Sequence, residues 1–190
     1  MSIVCAAIKN GRIAISGDSL TSYGSLTASS SHVANCNKLY RVNDSVVGLV
    51  GWCAISTLLE HLMLQEKDLF HFGNRMQILD TMLEVHQRMK RNYFLDSRDD
   101  HDQPVESTQL QALIVNASGL YEVSRYRSVT EYKTFWAIGS GRRYALGAMH
   151  AAYAGRKSAR SVAEAGVMAA SEFDDGCALP LTTKVISARN

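Results

Sequence analysis

Several features that would place a chain of this length in a functional class are missing. No run of apolar residues approaches the roughly 20 needed to cross a bilayer, and Met1-Ser2-Ile3 lacks the basic start of a secretory signal, so a soluble cytoplasmic protein is expected. Neither sign of charge is in excess: the formal net charge is +2 and acidic and basic residues are mixed, which leaves no footprint for nucleic acid and no membrane-surface helix. Cys5, Cys36, Cys53 and Cys177 are widely spaced and form no CxxC pair, which fits reduced, mostly buried thiols better than a disulfide framework or a zinc site. His61, His71 and His86 have no HExxH-like spacing and read as packing or surface residues. The acidic stretch 91–107 lacks the central glycine and spaced terminal glutamate of a calcium loop and reads as a solvated connection. No metal and no cofactor is expected.

What is present begins at the first residue. At 190 residues and 46% hydrophobic, the chain can bury one sizeable core, and a single domain over 1–190 is expected. Ile3–Ile8 and Ile13–Ile15 flank Asn10-Gly11, a pair that accepts the positive φ of a type I′ turn, so the chain opens as a hairpin. Its first strand starts directly after Ser2. Once Met1 is removed, as serine at the second position favours, a hydroxyl and a free α-amine sit together on a rigid strand end: a nucleophile carrying its own base. The hairpin returns Asp18 to the level of Ser2, where its carboxylate can orient an amine.

The rest alternates between strand and helix signals. Residues 19–33 are small and polar. Ser45–Val50 is a continuous apolar strand, and Gly51 follows it at a helix start, where a backbone N–H can be left to donate to an oxyanion. Ile55, Leu58, Leu59 and Leu62, then Met76, Leu79, Leu83 and His86, recur at helical steps, with a break at Phe70–Asn74. Leu110–Asn116 and Leu120–Ser124 form a second hairpin, and short strands near Val129–Lys133 and Phe135–Ile138 lead through Gly139-Ser140-Gly141 into an alanine-rich helix. Ser161-Val162-Ala163-Glu164 reads as the capping box of a last helix ending near Phe173, and Lys184–Ser187 as a closing strand.

Ser2 with its apolar strand, Asn10-Gly11, Gly17-Asp18, Val46-Val47-Gly48-Leu49-Val50-Gly51 and Trp136-Ala137-Ile138-Gly139-Ser140-Gly141 occur in the order of the proteasome β-subunit family, which the chain resembles over nearly its whole length. The likeness is greatest to the bacterial HslV-like branch and its divergent β-proteobacterial homologues. It implies an α+β, four-layer αββα sandwich, the N-terminal nucleophile hydrolase fold. It further implies Ser2 as nucleophile, Gly51 as oxyanion donor, and Asp18 and Ser140 as the groups positioning the amine. Thr21 and Ser22 become the edge that pairs with an extended peptide, and Leu49 lines the pocket for the residue before the cut.

One departure bears on activity. Anchored on Leu39-Tyr40, the position of the family's catalytic lysine falls on Asn35, or on Ala34 with a shift of one, and neither carries charge. Lys38 lies at an odd offset, which on a strand turns its side chain to the opposite face unless the strand bulges. The family's remaining carboxylate and serine fall near the end of the last helix, as Glu172 with Asp175 or Cys177 with Pro180. The resemblance therefore implies a homo-oligomeric, stacked-ring peptidase acting on polypeptide, fed by an AAA+ unfoldase. The alternatives are a ring-forming homologue with weak or no activity, favoured by Asn35 and by serine in the nucleophile position, and a small-molecule amidohydrolase on the same fold.

Overall fold

The Asn10-Gly11 signal is realised as a tight hairpin. Strands β1 (Ile3–Lys9) and β2 (Arg12–Gly17) pair antiparallel from Val4↔Gly17 to Lys9↔Arg12, and the turn residues take φ of 51° and 68°. The computed structural model describes residues 2–98, 103–155 and 157–189; Met1, with its expected removal, and residues 99–102 of the acidic connection lie outside the described residues.

β1 is buried on both faces over Ile3–Ala7, which explains why its sequence is a continuous apolar run instead of an alternating one. It sits inside a four-stranded antiparallel sheet in the order β10 (Phe135–Gly139), β1, β2, β11 (Thr182–Ser187). A second antiparallel sheet runs β5 (Leu39–Val42), β6 (Ser45–Gly51), β7 (Leu110–Asn116), β8 (Gly119–Val123), β9 (Val129–Tyr132). A short ribbon, β3 (Thr21–Tyr23) with β4 (Leu26–Ala28), stands apart from both.

Three apolar clusters define the layers. Val4, Ala6, Ile13 and Ile15 of the first sheet meet Val46, Val50, Leu113 and Val115 of the second. The outer face of the five-stranded sheet is covered by α1 (Cys53–Gln65) and α2 (Arg75–Tyr93) through Leu59, Leu62, Ile78, Met82 and Val85. The outer face of the four-stranded sheet is covered by α3 (Arg142–Ala154) and α4 (Ala159–Phe173) through Ala145, Met149, Val162 and Val167. Helix, sheet, sheet, helix is the αββα sandwich that the order of elements implies. None of the described helices is long and apolar enough to cross a membrane.

The two sheets come closest at Gly48, where a Cβ would lie 2.5 Å from Val4 Cγ1 and 3.1 Å from Ile15 Cδ1. Both neighbours are fully buried in the cluster between the sheets, so neither has open space to move into. Gly48→Ala is therefore expected to cost about 1–3 kcal/mol through overpacking, read as a lowered urea midpoint; an unchanged midpoint would mean that the sheets slide apart freely.

Two local expectations change. The last helix begins at Ala159, with Ser158 as its N-cap accepting from Ser161 N at 3.1 Å. Glu164 does not close a capping box but pairs with Arg160 and accepts from Thr183 Oγ1. The four thiols are free, but only Cys5 and Cys177 are buried; Cys36 is half-buried and Cys53 exposed at the start of α1.

Candidate active site

Ser2 is held by its own backbone at the junction of β1 and β10. Ser2 O accepts from Ser140 N at 3.0 Å, and Ser2 N donates to Ser140 Oγ at 3.3 Å. Ser140 can come this near because Gly139 precedes it: φ there is 113°, and a Cβ would sit 2.0 Å from Ser2 O. Ser140 Oγ in turn donates to Asp174 Oδ1 at 2.9 Å. Asp174 is the residue that stops α4, and its Oδ1 also accepts from Gly176 N at 3.0 Å and Cys177 Sγ at 3.3 Å. The carboxylate thus fixes the Ser140 hydroxyl, and the hydroxyl fixes the Ser2 nitrogen. The partners near Ser140 are Asp174 and Cys177, not Glu172 with Asp175 or Cys177 with Pro180. Burial, followed by the Asp18 and Asp174 charges, pushes the Cys177 thiol up to about 12, so it stays protonated and serves as a donor.

The second anchor is Asp18, 2% exposed at the end of β2. Its Oδ1 accepts from Ile3 N at 2.9 Å and its Oδ2 from Leu20 N at 3.1 Å and Ala178 N at 3.4 Å. These N–H donors come from three separate segments, so the carboxylate ties the strand end that carries Ser2 to both neighbouring loops. Its fourth partner is a cation: Lys38 Nζ donates to Asp18 Oδ1 at 2.6 Å and to Leu20 O at 2.9 Å.

That contact corrects the reading in which the cation position fell on uncharged Asn35. Residues 33–38 form no strand; β5 starts at Leu39, so the alternation that would turn Lys38 away does not govern it. Leu49 N donates to Lys38 O at 3.0 Å, which seats the lysine backbone beside β6, next to the end of β2 at Gly17. Asn35 lines the neighbouring cavity instead.

That cavity, about 660 Å³, opens at Ser2. Thr21, Ser22, Leu49, Gly51 and Ser140 line it with Lys38, so the candidate residues meet in one place, with Asp18 buried directly behind. Gly51 has φ 138° at the end of β6, a conformation that side chains rarely adopt, and a Cβ there would be 3.0 Å from Gln109 O. By strand alternation its N–H lies on the same side of β6 as that of Leu49, which bonds to Lys38, but one step beyond the end of β5. Trp52, 70% exposed, stands at the rim as N-cap of α1. Among the described residues β3 pairs only with β4, so Thr21 lies on an edge that faces the cavity. No group of metal-ligating side chains occurs among the described residues.

Comparison with known proteins gives the family of the chain. The family model described as "Proteasome subunit" matches residues 2–179. A solved structure of Thiobacillus denitrificans BPH in complex with Epoxomicin is 35% identical, with 99% of this chain and 100% of that chain covered and a TM-score of 0.90. A second structure of Thiobacillus denitrificans BPH is 36% identical over 97% of both chains, with a TM-score of 0.91. Eukaryotic HslV from Trypanosoma brucei, at 20% identity and a TM-score of 0.72 over 97% of this chain and 99% of that one, shares the fold. No curated protein matches. The chain belongs to the proteasome subunit family.

Proposed function

We propose that this chain is a subunit of a self-compartmentalising ring peptidase that hydrolyses peptide bonds with Ser2 as its N-terminal nucleophile. The observation that carries the reading is the clasp on Ser2: Ser140 and Asp174 on one side and Asp18 with Lys38 on the other, at the mouth of one cavity. Removal of Met1 turns the Ser2 nitrogen into an amine, whose ordinary pKa of about 7.7–8.0 lets it take a proton near neutral pH. Ser2 Oγ attacks the carbonyl carbon, and its proton passes to the amine. The Gly51 N–H receives the oxyanion, and the amine returns the proton to the departing peptide nitrogen. Water then adds to the ester by the same route, regenerating Ser2.

A peptide reaches this centre by lying along the edge at Thr21 and Ser22, with Leu49 under the side chain before the cut. The proposal includes assembly into stacked homo-oligomeric rings in the cytoplasm, fed by an AAA+ unfoldase, a reading that family membership supports. Exposed Tyr144, Met168 and Phe173 on α3 and α4 supply apolar surface suited to a partner subunit. The ring homologue with weak or no activity rests on an absent cation and on serine as nucleophile; Lys38 on Asp18 answers the first of these.

Intact mass tests the reading. The protein is weighed before and after incubation with an electrophile that acylates N-terminal serine or threonine. Loss of one methionine and a single adduct that Ser2→Ala lacks are the expected results. A processed chain that takes no adduct, or retention of Met1, would leave a catalytically silent ring.

A further inference from the structure

One side of the cavity is a helix face that the catalytic proposal does not use. Cys53, Ser56, Thr57 and Glu60 of α1 line it at the i, i+3, i+4, i+7 spacing that aligns side chains on one face. The stripe begins beside Gly51 and, at about 1.5 Å per residue, reaches Glu60 about 10 Å further along the helix. Lys38, bound to Asp18, and Tyr40, two residues further along the chain, also line the cavity. Leu49, 2% exposed, packs in the cluster that α1 covers.

Glu60 is the acid of this lining, and it has no ion pair among the described residues. Lys38 is already neutralised by Asp18. Arg142, two residues past Ser140, donates to Gly139 O at 3.1 Å at the junction of β10 and α3. Arg125 enters from the β8–β9 connection. The α1 wall of the cavity therefore carries a thiol and two hydroxyls followed by one carboxylate, Glu60, about 10 Å along the helix from the end beside Gly51. An unbranched aliphatic stem tipped with a cation fits it, because the stem packs on Leu49 while the charge meets Glu60. Tyr40 independently marks how near that carboxylate is: its phenol is pushed up to about 12, first by burial and then by the Glu60 charge.

We infer that the pocket preceding the cut selects lysine and arginine side chains, with Glu60 as the anionic end that recognises them. The inference deepens the peptidase reading and rests on it for the direction in which the peptide lies.

Two readouts on the assembled protein separate the two ideas. Calorimetric titration with acetylated Ala-Ala-Lys, Ala-Ala-Leu and Ala-Ala-Glu measures the pocket without turnover, and fluorogenic versions of the same peptides measure cleavage. The lysine peptide is expected to bind about tenfold tighter than the leucine peptide, the scale of one charge-assisted hydrogen bond, and the glutamate peptide weakest. Glu60→Gln keeps the shape and should erase the lysine advantage while leaving the leucine peptide unchanged, which also reports that the fold is intact. Glu60→Lys should favour the glutamate peptide. A wild-type preference for leucine or glutamate, or a lysine preference surviving in Glu60→Gln, overturns the inference. Cleavage without lysine preference overturns it and keeps the peptidase. A Glu60-dependent lysine preference without cleavage supports the pocket and overturns the peptidase, and failure of every peptide to bind or be cleaved overturns both.

Discussion

Lys38→Met is expected to lower the rate of peptide turnover by about 10²–10³-fold, the effect of removing one preorganised group from the developing charge, while the protein still assembles. The side chain of Lys38 shares the cavity with Ser2, and its ammonium is fixed between Asp18 Oδ1 and Leu20 O. A cation in that place favours the alkoxide that Ser2 becomes as its proton leaves. Methionine keeps the aliphatic stem and removes only the charge. The fold should tolerate this, because Asp18 keeps its three N–H donors from Ile3, Leu20 and Ala178, which satisfy both carboxylate oxygens. Lys38→Arg should not rescue, since the larger planar guanidinium spreads its charge away from the point that the ammonium occupies between Asp18 Oδ1 and Leu20 O. Single-turnover kinetics of the variants against Asn35→Ala decide the matter. Wild-type rates in Lys38→Met, with loss in Asn35→Ala, would return the role to Asn35.

The lysine shows where reading the chain succeeded and where it stopped. Hairpins and layers were legible, because each signal is local. Asn10-Gly11 sets a turn, Leu110–Asn116 and Gly119–Val123 pair across two residues, and the apolar steps in α1 and α2 follow the helix period. Asp18 and Ser140 were legible for the same reason, as residues at strand ends of fixed register, Gly17 opposite Val4 and Gly139 opposite Ile3. Lys38 was not, because its orientation depends on where β5 begins. Alternation applies inside a strand, and one residue before Leu39 the rule has no force.

Asp174 was missed for a related reason. The end of α4 near Phe173 was read correctly, but the carboxylate and its partner were sought at Glu172 with Asp175 or at Cys177 with Pro180, on either side of Asp174. The signal was the stop itself: Asp174-Asp175-Gly176 makes an Asx-type turn, Gly176 N donating to Asp174 Oδ1, which aims that oxygen at Ser140 as well. Ser158 was passed over in favour of Ser161 because the latter has a glutamate three residues on, which the structure uses for Thr183 instead.

Gly139→Ala should be nearly as damaging to activity as loss of the lysine, through backbone placement alone. Residue 139 makes no side-chain contact, yet its φ of 113° and the 2.0 Å approach of a would-be Cβ to Ser2 O leave no conformation in which alanine keeps both β10 and β1 in place. The cheapest relief is a shift of the Ser2 backbone, which lengthens the 3.0 Å bond from Ser140 N and the 3.3 Å bond between Ser2 N and Ser140 Oγ. The nucleophile and its base then move together, away from the Gly51 N–H and from Lys38. A displacement of about 1 Å in a positioned centre costs about 10² in rate. The drop should appear in kcat with little change in KM, because Thr21 and Leu49 are untouched. Gly147→Ala is the matched control: this glycine lies in α3 with nothing within 4 Å of its Cβ, so the same added methyl should leave turnover unchanged and raise helix stability by up to about 1 kcal/mol. Equal behaviour of the two variants would mean that Ser2 is not held by the close pass of Gly139, and the clasp would then reduce to Asp18 and its lysine.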